Sequence, residues 1–186
     1  MFDLESFIAD CRAALAEDAA HRAVREVVAR AVSDPAAVIK ALGEPKRAGM
    51  TALYSSSDLT IVDFHWGPSM TLMPHDHRMW GVIGVYTGRE DNIFWRRITT
   101  DEGGTRVEAA GARAICTGDV EPLGRDIVHS VTNPLPRITG ALQVYGGDFF
   151  AAARSEWDPE TLRERPFDLE RARRVFEETN TRWGLA

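Results

Sequence analysis

The chain has 186 residues, a formal net charge of −6 and 44 % hydrophobic residues, a composition that allows one folded domain with its own core and excludes a fibrous or disordered chain. Net negative charge repels the phosphates of nucleic acids and anionic lipids, so neither is expected as a partner. Two cysteines, Cys11 and Cys116, are too few for a disulfide framework or a cysteine zinc site. With an acidic, amphipathic start that lacks the pattern of a signal peptide, they point to reduced thiols in the cytoplasm.

Residues 1–48 read as helices. Leu4, Phe7, Ile8, Cys11 and Leu15 recur at intervals of three and four, as do Val24, Val27, Val28 and Ala31. The stretch "SDPAAVIKAL" adds a short helix with Asp34 as its N-cap and Pro35 in its first turn. Residues 49–150 change character to short apolar or alternating runs such as "LTIVDFHW", "WGVIGVY", "NIFWRRI" and "ITGALQVYGG", separated by Gly, Pro and Asn. Many short strands with frequent turn signals predict a β-sandwich or barrel. Within it Cys116 reads as a small buried apolar residue. Residues 151–186 are charged and read as helices packed outside the β region. No repeat or linker divides the chain, so 1–186 is one domain.

The stretch "TLMPHDHRMWGVIGVYTG" holds two histidines one residue apart. On a strand, i and i+2 share a face, so His75 and His77 project together while Asp76 points away. Two neutral imidazoles side by side suggest a metal ion. A second stretch, "GDVEPLGRDIVHSVTNP", supplies His129 near the start of another strand. His21 and His65 have no partner at ligand spacing and read as structural or solvated. Trp66, Trp80 and Trp95 read as core or pocket lining.

Residues 50–148 resemble the cupin superfamily. His75, His77 and Gly88 match its first motif, and Pro122, Gly124, His129 and Asn133 match its second. Within that superfamily the chain is similar to the cysteine dioxygenase-type thiol dioxygenases. The similarity lies in the helical N-terminal segment, "PHDH", the late-strand Tyr145 before "GGD", and Gly81 and Val82 where many cupins carry a ligand glutamate. The resemblance implies an all-β core, the double-stranded β-helix barrel of cupins, with flanking N- and C-terminal helices. It further implies Fe(II) held by His75, His77 and His129, with zinc or nickel as ions carried through purification. O2 would oxidise a small thiol to a sulfinate, with Tyr145 as the catalytic hydrogen-bond donor. The molecule would be a monomer or homodimer.

Three departures concern the substrate. Ala141 and Gln143 stand where the family has the Ser and His that orient the tyrosine. Ser55 and Ser56 occupy the region that carries the carboxylate-binding arginine, and the cysteine that cross-links to the tyrosine in animal members is missing. A substrate other than L-cysteine is therefore expected. Arg96 and Arg97 are the candidates for its far end, together with Arg78, and Trp80 for a wall of its pocket. Arg96 shares a face with Asn92 and Phe94, and Arg97 with Ile93 and Trp95, so the sequence leaves the inward face open. Competing readings are a diketone-cleaving dioxygenase, a metal-dependent hydrolase or isomerase, and a non-catalytic metal or ligand sensor.

Overall fold

The structure, a computed structural model, describes residues 1–17, 21–101 and 103–185. Three helices open the chain: α1 (Leu4–Glu17), α2 (His21–Val32) and α3 (Pro35–Leu42). Nine strands follow: β1 (Gly49–Ser55), β2 (Thr60–Trp66), β3 (Thr71–Asp76), β4 (Gly81–Thr87), β5 (Arg89–Thr99), β6 (Thr105–Cys116), β7 (Val120–Leu123), β8 (Val128–Thr132) and β9 (Thr139–Tyr145). Two short strands, β10 (Ser155–Trp157) and β11 (Glu164–Pro166), precede the last helix, α4 (Leu169–Trp183).

One sheet has the order β1-β2-β9-β4-β7 and the other β11-β10-β3-β8-β5-β6. From β2 to β9 the chain passes back and forth between them: β2, β4, β7 and β9 lie in the first, and β3, β5, β6 and β8 in the second. Eight antiparallel strands wound in this order form the double-stranded β-helix, the jelly-roll barrel of cupins. Ile83, Val85, Ile115, Leu123 and Ala141 fill one part of the interior. Val62, Phe64, Trp66, Leu72, Val131 and Tyr145 fill another.

The N-terminal helices cover the outer face of the first sheet. Val24, Val28 and Val32, from the apolar stripe of α2, pack with Val82, Leu142 and Val144. A side chain at Gly84 would lie 2.4 Å from Val28, so the close approach of α2 to β4 requires glycine there. Asp34 caps α3, its carboxylate accepting from the Ala37 amide at 3.1 Å, as its position before Pro35 predicts.

The C-terminal segment differs from the helical expectation. Residues 155–157 and 164–166 add strands beside β3, with Glu156 opposite His75. Trp157 and Glu156 are fully buried there, Trp157 beside Val107 and Val128. Three-residue strands set among charged residues show no period, and their pairing is imposed by the open edge of β3. Cys116 is exposed rather than buried, because β6 alternates and the inward position belongs to Ile115. No helix among the described residues is long and apolar enough to cross a membrane.

Candidate metal centre

The site is built from strand alternation and register. In β3, His75 faces the interior and Asp76 the opposite side. Residue 129 on β8 is the direct antiparallel partner of residue 75. Directly opposed residues share a face with their Cβ atoms about 5 Å apart, so His129 must meet His75. His77 follows on the same side, and the chain then turns sharply through Arg78, whose φ is +58°. The Nε2 atom of His77 lies 3.2 Å from that of His75 and 3.3 Å from that of His129.

All three rings are buried. Burial first, and the nearby Arg154 guanidinium second, push His75 down to about 4. Burial and the neighbouring imidazoles hold His77 and His129 well below the usual histidine range. His75 donates from Nδ1 to the Met73 carbonyl at 2.9 Å, and His129 from Nδ1 to the Asn92 Oδ1 at 2.5 Å. Both therefore present an Nε2 lone pair to the centre. Neutral lone pairs converging in a dry interior repel one another unless a cation accepts them. The three ligand atoms lie within 4.8 Å of one another, and this donor set fits a divalent transition metal.

The adjoining cavity is narrow, with about 10 Å³ open to the centre of a water-sized sphere. Tyr145 lines it, stacked on Phe149 at 4.3 Å and edge-on to His77 at 4.8 Å. Its hydroxyl donates to the Gln143 side-chain oxygen, and burial pushes its pKa up, so it stays neutral. Gly81 pairs with Tyr145 across the sheet. A Cβ at Gly81 would lie 3.2 Å from the tyrosine ring and 3.8 Å from His77 Nδ1. The ring thus fills the space that a side chain at 81 would need.

Arg154 is a cavity residue that the sequence did not single out. It is 8 % exposed, and its guanidinium lies 4.0 Å from the ring centroids of both Phe149 and Phe167. Its Nη1 atom is buried without a hydrogen-bond partner. Burial lowers its pKa to about 10, which still leaves it charged at neutral pH. Its place in "AAARSEWDPE", a stretch read as charged surface, carries no periodic signal; only the tertiary return of Phe167 onto it encloses it.

The proposed substrate arginines lie elsewhere. Arg96 is exposed and paired with Glu108, at the end of β5 beyond the barrel. Arg97 lies on the outer face with Trp95, where it binds Asp76 at 2.6 Å and sits over Trp157. Arg78 also binds Asp76, at 2.7 Å. Trp80 packs over Gly146 against the helix-facing core and does not line the cavity. Trp66 does line it. His65 bonds to Asp63 at 3.0 Å and approaches the Tyr86 hydroxyl, apart from the cluster. Glu90 and Asn92, which stand behind His129, were legible only as polar residues in the alternating run "REDNIF", a pattern that also suits an exposed strand.

No family model matches the chain. Solved structures with a similar fold include a conserved protein with a double-stranded β-helix domain from Klebsiella pneumoniae, 14 % identical, covering 61 % of this chain and 81 % of its own, with a TM-score of 0.47. The DMSP lyase DddQ of Ruegeria pomeroyi is 18 % identical over 61 % of this chain and 53 % of its own, with a TM-score of 0.47. A variant of oxalate decarboxylase from Bacillus subtilis is 14 % identical over 61 % of this chain and 29 % of its own, with a TM-score of 0.44. Likenesses this distant carry no chemistry across. By its own strand order the chain folds as a double-stranded β-helix, with three buried histidines placed to bind a metal ion.

Proposed function

We propose that the protein is an Fe(II)-dependent dioxygenase that oxidises a small thiol carrying a carboxylate to its sulfinate. The observation that carries this reading is the buried, partly unpaired Arg154 guanidinium in the cavity lined by His75 and His129, two of the three converging imidazoles. The reaction, R–SH + O2 → R–SO2H, places both oxygen atoms on sulfur and needs no further reductant. Iron(II) held by His75, His77 and His129 would supply Lewis acidity toward a thiolate together with the redox chemistry of O2, and the neutral ligands would leave its positive charge intact.

The remaining residues act on the rest of the substrate. A carboxylate brought into this interior costs several kcal/mol unless a cation meets it, and Arg154 offers a planar fork for that purpose. Phe149 and Phe167 clamp the guanidinium and exclude water. No acidic side chain lines the cavity among the described residues, so the ammonium group of L-cysteine would find no counter-charge. That favours a mercaptocarboxylate without an amine. Tyr145, neutral and fixed by Gln143, presents its hydroxyl oxygen at the cavity wall and orients whatever polar group lies there.

The test is anaerobic loading with Fe(II), followed by oxygen uptake with 3-mercaptopropionate, L-cysteine, cysteamine and a β-diketone. The expected result is turnover of 3-mercaptopropionate above the others. In Arg154→Met, KM for that substrate should rise roughly 10- to 100-fold, the worth of one or two charge-assisted hydrogen bonds. Uptake only with the diketone would assign the site to carbon–carbon cleavage. Ligand binding with no uptake would assign it to sensing.

A further inference from the structure

Glu90 lies on β5, fully buried between the sheets, and does not line the cavity. One carboxylate oxygen accepts from Asn92 Nδ2 at 2.9 Å. The other accepts from Trp66 Nε1 at 2.7 Å and from Gln143 Nε2 at 3.3 Å. Each amide passes the bond onward through its own oxygen: Asn92 Oδ1 faces His129 Nδ1, and Gln143 Oε1 faces the Tyr145 hydroxyl.

We infer that Glu90 is a positioning residue that sets two features of the site at once, the tautomer of the ligand His129 and the direction of the Tyr145 hydroxyl. Above its raised pKa of about 7 the Glu90 carboxylate is ionised and only accepts hydrogen bonds, so both amides must then turn their NH2 groups toward it. Their oxygens must then face away. Facing Asn92 Oδ1, His129 can only carry its proton on Nδ1, which leaves Nε2 as the lone-pair donor. Facing Gln143 Oε1, Tyr145 can only donate, which leaves the lone pairs of its oxygen for the cavity. Reversing either amide would bring oxygen against oxygen. Trp66, a donor only, supports the same polarity from a third side. The two arms leave Glu90 from different carboxylate oxygens and end on His129 and Tyr145, so one buried carboxylate orders both.

The inference rests on the metal-site reading of the histidines but not on thiol oxidation, and the readouts need no turnover. In wild-type protein labelled with 15N at its imidazoles, metal-free His129 is expected as the Nδ1–H tautomer. Its appearance as Nε2–H would overturn the inference without any variant. Glu90→Gln, which can donate as well as accept, should lower Co(II) affinity about 10- to 100-fold. It should also shift the 13Cζ resonance of Tyr145, assigned with Tyr145→Phe. Asn92→Ala should lower Co(II) affinity and leave the tyrosine signal in place, and Gln143→Ala should do the reverse. Wild-type affinity and tyrosine signal in Glu90→Gln would refute the inference, as would both single-arm variants moving both signals. Loss of oxygen uptake with these signatures intact would count against the oxidation reading alone.

Discussion

Two imidazoles with nitrogens 3.2 and 3.3 Å from that of a third, His77, can share a dry interior with it only while all are neutral. Burial moves His75 from its ordinary value of 6.5 to about 4, and His77 and His129 well below theirs. As pH falls from 6.5 toward 4, the unfolded chain takes up protons that the folded one refuses, so the metal-free protein loses stability in that window. Glu90 acts with the opposite sign. Burial raises it from 4.5 to about 7, against the hydrogen bonds from Asn92, Trp66 and Gln143. Its contribution is greatest below 4.5 and is lost as pH rises through 7, so acidification from 7 to 4.5 adds stability. The three histidines outweigh it, and urea midpoints of the metal-free protein should fall between pH 7.5 and 5. Glu90→Gln removes the compensating gain, so its decline should be steeper by on the order of 3 kcal/mol across the window. Parallel declines in the two proteins would show that Glu90 does not titrate there.

At the scale of elements, β3 works with both faces. Its inner face supplies His75, while on the outer face the fully buried Asp76 gathers Arg97 at 2.6 Å, Arg78 at 2.7 Å and the Ser155 amide at 2.8 Å. This one carboxylate ties β5, the turn after His77 and the start of β10 to the strand that carries the ligands. Glu156 repeats the device further along, holding Arg165, Arg171 and the Asp168 amide and so anchoring α4. Asp76→Ala would remove the acceptor shared by two part-exposed arginines, which keep their bonds to Ser155 and Asp126, and by the Ser155 N–H. The expected loss is about 1–3 kcal/mol, less than for a fully buried ion pair because water solvates the freed guanidinium groups, and it should be visible as a lower urea midpoint. Co(II) affinity should fall with it, because residues 75 and 77 flank the deleted anchor. Unchanged stability would mean that β10 holds to β3 without the carboxylate.

Across the whole molecule the helices and the barrel divide the work. α1–α3 cover the outside of the first sheet, and α4 packs Ala172 and Phe176 against the cluster that contains Trp66 and Phe64. The sheets are held together by large apolar clusters, which the imidazoles meet through ring contacts with Tyr145, Phe149 and Phe167. Chelation should therefore leave a folded barrel with unchanged far-ultraviolet circular dichroism. Restoring metal at a hundredfold excess over Kd adds about 2.7 kcal/mol, which raises Tm by roughly 5–11 °C for a chain of this size. Unfolding on chelation would instead make the metal part of the core.

The sequence by itself determined the helical start, the β region and the three histidines, because each depends on short-range regularities. A 3.6-residue stripe marks α2, period-two alternation puts His75 and His77 on one face, and Asp34 beside Pro35 marks the start of α3. These patterns act over a few residues and survive without the rest of the chain. Only the tertiary structure decided which arginine faces the cavity, where β10 and β11 pair, and which groups fix the Tyr145 hydroxyl. Arg154 is enclosed by Phe167, β10 forms on the free edge of β3, and Glu90 meets Gln143 across 53 positions of sequence. Such contacts follow from register and closure of the barrel, and a lone arginine or glutamate in a polar run has the same local appearance whether the fold buries it or leaves it in water.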